Sequence, residues 1–81
     1  MTVSVRVFAM LRESLGASMI QVEVPQECTA RALVDHLVDA FPAMKPVHNV
    51  IRVAVNDEWA QWDHLIEEGD EIALLTPVSG G

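Results

Sequence analysis

The sequence predicts an α+β fold, a mixed sheet of four to five strands with one main helix laid across one face. Three observations predict it. Val3, Val5 and Val7, then Ile20, Val22 and Val24, then Ile51, Val53 and Val55 alternate with other residues at period two, the signature of half-buried strands rich in β-branched residues. Between the second and third runs, Leu33, Val34, Leu37, Val38 and Phe41 recur at helical spacing and make one apolar stripe. A single helix cannot bury such a stripe alone, so it must lie on the sheet.

Each element follows in order. The first strand covers Val3 to Val7, with Phe8 pointing away from Val5 and Val7. Met10 to Gly16 (MLRESLG) is a short polar turn that Gly16 stops, and the second strand ends at Pro25. Thr29 is placed to cap the helix, and Pro42 ends it because the residue before a proline is pushed out of the helical region. Ala43 to Asn49 is a connection. After the third strand, Asn56-Asp57 is a turn signal and Glu58 to Gln61 a short edge strand. Asp63-His64-Leu65 reads as a single helical turn capped by Asp63, and Glu67-Glu68-Gly69-Asp70 as a tight turn. The last strand, Glu71 to Leu75, is apolar from Ile72 onward and is expected to be central. With a right-handed crossover through the helix, the first and last strands become parallel neighbours. That arrangement is the β-grasp, as in ubiquitin.

Length and charge bound the function. The 81 residues are 51% hydrophobic and 21% charged, which suits one globular domain over 1–81 with 76–81 as a flexible tail. No apolar run approaches 18 residues, and no signal peptide is visible at the N-terminus. Five Lys plus Arg against twelve Asp plus Glu give a net charge of −7. That argues against nucleic acid or an anionic membrane as partner, since phosphate contacts dominate such affinity; it suits a basic protein partner or solubility alone. A single cysteine, Cys28, fits a reducing, cytoplasmic setting.

Side-chain chemistry is sparse. Cys28 sits between Glu27 and Thr29, with no base or cation nearby in sequence to activate it, and reads as a half-buried spare thiol. His36, His48 and His64 are scattered without metal-ligand spacing, so no metal is expected. Glu67, Glu68, Asp70 and Glu71 read as a solvated turn. Trp59 and Trp62 are more than so small a core needs, and surface tryptophan marks protein contacts as well as core edges. The strongest feature is the Gly80-Gly81 end. Without Cβ atoms these residues are expected to form a thin strand, narrow enough to enter an active-site tunnel and with a terminal carbonyl unhindered for activation and attack by a sulfur nucleophile; the alternative is a frayed end.

The segments VRVFAMLRE (Val5 to Glu13), VAVN (Val53 to Asn56), WDH (Trp62 to His64), EGDEIALL (Glu68 to Leu75) and TPVSGG (Thr76 to Gly81) carry a family likeness. The chain resembles the sulfur-carrier small subunits of molybdopterin synthase, within the ThiS/MoaD-type ubiquitin-like proteins. Asp63-His64-Leu65-Ile66 stands where that family has DHPL, and Thr76 where it begins its tail with proline.

The resemblance implies that Gly81 is the reacting residue: its carboxylate is adenylated with ATP by an E1-like enzyme, then converted to a thiocarboxylate by a sulfur-donating sulfurtransferase. Residues Thr76, Pro77, Val78, Ser79, Gly80 and Gly81 would then enter the large synthase subunit, where the sulfur passes to cyclic pyranopterin monophosphate. Two small and two large subunits would form a heterotetramer, the small one non-catalytic and binding no cofactor of its own. In the inferred topology Phe8, Arg12, Trp59 and Leu75 share one surface, with the aromatic, aliphatic and arginine composition of a binding hot spot. Three other readings remain: a sulfur carrier for thiamine, tRNA thiolation or cysteine synthesis; a ubiquitin-like modifier joined to lysines through Gly81; and a β-grasp binding module with an inert tail.

Overall fold

In the computed structural model, which describes residues 1–8, 12–13 and 15–76, the chain runs through β1 (Thr2–Val7), β2 (Met19–Glu23), α1 (Ala30–Ala40), a 3-10 helix (Pro42–Val47), β3 (Arg52–Val55), β4 (Glu58–Trp59) and β5 (Glu71–Leu75). The five strands form one sheet in the order β2-β1-β5-β3-β4. β1 and β5 are parallel neighbours at its centre, and the other pairs are antiparallel. This is the expected β-grasp.

The alternation sets the two faces. Val3, Val5, Val7, Val22, Ile72, Leu74, Val53 and Val55 point to one side and are buried, and α1 lays Ala30, Leu33, Val34, Leu37 and Val38 onto them. At about 25 cal/mol per Å2 of apolar surface removed from water, this layer is the main source of stability. Thr29 caps α1 as expected: its Oγ1 accepts from the Ala32 N–H at 3.1 Å. The helix stops at Ala40, with the Phe41 N–H donating to the Leu37 carbonyl at 2.7 Å.

The connection after the helix has structure of its own, and three expectations need correction. Residues Pro42–Val47 wind into a 3-10 helix that drives Met44 fully into the core. A proline at the first turn costs no hydrogen bond there. The edge strand is shorter than Glu58 to Gln61, because β4 holds two residues opposite Ala54 and Val55 of a four-residue β3. Asp63-His64-Leu65 is no helical turn capped by Asp63. The His64 N–H donates to the Gln61 carbonyl at 3.0 Å, and Leu65 then extends to bridge Thr29. Cys28 is not half-buried but buried, and burial raises its pKa above the ordinary thiol value, so the inert reading gains a physical cause.

The segment 61–66 thereby acquires a structural task. The His64 and Trp62 carbonyls accept from the Ala30 and Arg31 N–H groups at 2.9 and 3.0 Å, satisfying donors that a helix start leaves unpaired. The Arg31 guanidinium lies 5.3 Å from the centre of the Trp62 ring, within cation–π range.

Candidate functional site

The face of the sheet away from α1 is open, and strand register fixes what stands on it. Directly paired residues point the same way, so Met19, Arg6, Ala73, Ala54 and Trp59 form one row across all five strands. Arg52 and Leu75 pair in the next row. Phe8 follows Val7 just as Leu75 follows Leu74, its parallel partner, and so comes to the same end of the open face.

The four residues expected at an interface are therefore distributed as follows. Phe8 is 42% exposed and lines a pocket of about 250 Å3 together with Arg6, Arg12 and Met19. Arg12 is exposed; its carbonyl accepts from the Gly16 N–H at 2.9 Å. Gly16 there takes φ +73°, a left-handed conformation that glycine reaches at no steric cost. Leu75 is half-buried at the end of β5. Trp59 is 69% exposed and stands three strands from β1, about 14 Å away at ordinary strand spacing. Phe8 and Arg12 thus form one cluster with Leu75 beside it, and Trp59 flanks them from the far edge. Thr76, half-buried, follows β5. The expected reacting residue Gly81 and the tail residues Pro77, Val78, Ser79 and Gly80 lie outside the described residues.

Sequence reasoning left Arg6, Met19, Ala73 and Arg52 out of the site. Parity gave a signal for one of them, since Arg6 and Phe8 share the outward side of β1. The pairing of Arg6 with Ala73 and of Leu75 with Arg52 depends on register, which no local pattern prints. With those residues included, three of the five cationic side chains of an acidic chain (Arg6, Arg12 and Arg52) gather around the end of β5. Such a patch offers apolar contact and positive charge.

Other candidates have structural roles. Trp62 packs against Arg31 beside α1, away from the open face. His48 Nε2 lies 2.9 Å from Asp35 Oδ1, tying the chain after the 3-10 helix to α1. Among the described residues no group of three His, Cys, Asp or Glu side chains is arranged to hold a metal ion, and no helix is long and apolar enough to cross a membrane.

Comparison with known proteins adds the following. The model of the ThiS family matches residues 5–81. A molybdopterin synthase sulfur carrier subunit from Drosophila melanogaster is 40% identical over 82 residues, covering 98% of this chain and 90% of that protein. The crystal structure of small archaeal modifier protein 1 from Haloferax volcanii superposes with a TM-score of 0.86 at 34% identity, covering all of both chains. A complex of subunits 1 and 2 of the molybdopterin-converting factor from Helicobacter pylori contains a chain with a TM-score of 0.71 at 24% identity, covering all of both chains. At that identity the last likeness speaks for the fold.

Proposed function

The chain belongs to the ThiS family, and from that premise we propose that it is a sulfur carrier of molybdopterin synthesis whose reacting group is the carboxylate of Gly81. The observation that carries the reading is the open face. An apolar and cationic patch surrounds the end of β5, so the chain runs from docking surface to Gly80-Gly81 within six residues. Nearly full-length identity to a molybdopterin synthase sulfur carrier subunit supports the pathway.

The chemistry begins with a carboxylate that is a poor electrophile. An E1-like enzyme joins it to the α-phosphate of ATP, releasing pyrophosphate. The resulting acyl-adenylate has a good leaving group, and sulfur delivered at the sulfide level by a sulfurtransferase and its thiol reductant attacks the carbonyl carbon, forming the C–S bond as the C–O bond to AMP breaks and leaving a thiocarboxylate. The small domain then docks by Phe8, Arg12, Trp59 and Leu75 on the large synthase subunit. Residues Thr76 to Gly81 carry the sulfur to cyclic pyranopterin monophosphate, and two deliveries complete the dithiolene. The large subunit supplies the acid–base groups, and two copies of each subunit assemble. This chain contributes positioning, an entropic gain that a docked donor provides, and the cytoplasm is where it acts.

A second reading has its own support in the likeness to small archaeal modifier protein 1. There, Gly81 would be joined to a lysine amine through an isopeptide bond. Intact mass spectrometry of the native protein separates the two. Replacement of one terminal oxygen by sulfur is expected for a carrier, whereas lysine adducts alone, without any thiocarboxylate, would overturn the carrier reading.

A further inference from the structure

A groove of about 330 Å3 crosses the open face along the β1–β5 pair, lined among others by Ser4, Arg6, Phe8, Asp57, Glu71 and Ala73. Its floor is low because Ser4 and Ala73 are small and sit on adjacent central strands. Its two ends differ in charge. Arg6 and Phe8 stand at the end near Leu75, and Asp57 and Glu71 at the other. Among the described residues no charged partner lies within 4 Å of Arg6, Asp57 or Glu71.

The acidic end is held rigid. Asn56 and Asp57 both take left-handed backbone conformations, φ 53° and 69°, in the two-residue turn that joins β3 to β4. The Asn56 N–H donates to the Glu71 carbonyl at 2.8 Å, and the Glu71 N–H donates to Asn56 Oδ1 at 2.9 Å. Asn56 Nδ2 donates to Asp70 Oδ1 at 3.0 Å, while Asp70 Oδ2 accepts from the Glu67 N–H at 2.8 Å. Asp70 therefore has both oxygens engaged, whereas among the described residues no hydrogen bond is made by the Asp57 or Glu71 carboxylate. Two carboxylates without a partner among the described residues are thus presented on a braced frame beside a shallow floor of small residues.

We infer that this groove receives a lysine or arginine side chain from the protein that docks on the open face. Its stem would lie over Ser4 and Ala73, and its charged head would reach Glu71 and Asp57. Arg6 fixes the direction, since a cationic head turned that way is repelled while one turned toward Glu71 is attracted. The groove continues into the Phe8 patch, so the inserted side chain belongs to the same partner. The inference rests on the proposed docking of the large synthase subunit and adds the chemistry that its contacting surface must present. Charge-assisted contacts of this kind set register and partner choice more than area does.

The test uses the purified cognate large subunit and the full-length carrier, with the dissociation constant measured across a salt series. Glu71→Gln removes the charge and keeps the shape; Ala73→Leu fills the floor without touching charge. Each is expected to weaken binding about tenfold, and Glu71→Gln also to flatten the salt dependence. Glu67→Gln, a charge removal outside the groove, should bind as wild type does. Thermal melting of each variant checks that the fold persists. Wild-type affinity and salt slope in both groove variants would overturn the inference while leaving the carrier reading intact. Failure of the unaltered carrier to bind the large subunit at all would instead sink the reading on which it rests.

Discussion

The two faces of this sheet are made from alternate residues of the same five strands, yet they divide the work. Under α1 stand Val3, Val5, Val7, Ile72 and Leu74, each almost wholly removed from water. On the other side stand Phe8, Met19 and Trp59, all substantially exposed, among Arg6, Arg12 and Arg52. The covered face excludes charge and stores stability; the open face keeps large apolar groups in water, a cost that is recovered when a partner covers them. The two tryptophans make the same point at smaller scale. Trp62, 39% exposed, is engaged by Arg31 and its carbonyl finishes the helix start, whereas Trp59, 69% exposed, stands on the edge strand β4 of the open face. Composition does not separate them; position relative to the sheet does.

Substitutions on the two faces should therefore fail in different assays. The largest effect on stability is expected from Leu37→Ala, which leaves a cavity under the sheet at a fully buried position and costs roughly 2–5 kcal/mol. Chemical denaturation measures it, and a loss near zero would break the assignment of Leu37 to the covered face. Trp59→Ala is the counterpart on the open face. It should weaken binding to the large subunit by about 2 kcal/mol while folding stability moves by less than about 0.5 kcal/mol. Equal losses in both assays would mean that the faces are not separable. Thr29→Ala should lower stability by about 1 kcal/mol through the lost cap with binding unchanged. The smallest effect belongs to Asp35→Ala, which removes the half-exposed contact with His48; exposed pairs of this kind contribute about 0.2–1 kcal/mol, and a larger loss would show that the 3-10 helix depends on it.

Local pattern made most of the covered face legible. Alternation placed Val3, Val5 and Val7, the stripe placed α1 to within a residue, and Thr29 and Pro42 marked its limits. What stayed hidden depends on tertiary context. The 3-10 helix forms where Met44 finds the core, a reward that the prolines at 42 and 46 do not announce. The segment around Asp63 is shaped by the unpaired N–H groups of α1 rather than by its own propensity. On the open face, the exposure of Phe8 and Trp59 followed from parity and from an excess of aromatic residues. The groove did not, because it needs Ser4 beside Glu71 and Arg6 beside Ala73, pairings between strands more than sixty residues apart. The role given to Gly81 rests on its small size and on the family likeness, since the residue lies outside the described ones.

The most direct test of the division between docking surface and reacting terminus is a single-turnover conversion of cyclic pyranopterin monophosphate to molybdopterin, with purified large subunit and chemically thiocarboxylated carrier. Carrier ending in a Gly81 thiocarboxylate should convert the substrate, and unmodified carrier should bind without reacting. Carrier lacking Gly81, thiocarboxylated at Gly80, should bind with the same open face yet deliver little or no sulfur. Conversion at the normal rate by the shortened carrier would contradict the assignment of Gly81 as the reacting residue.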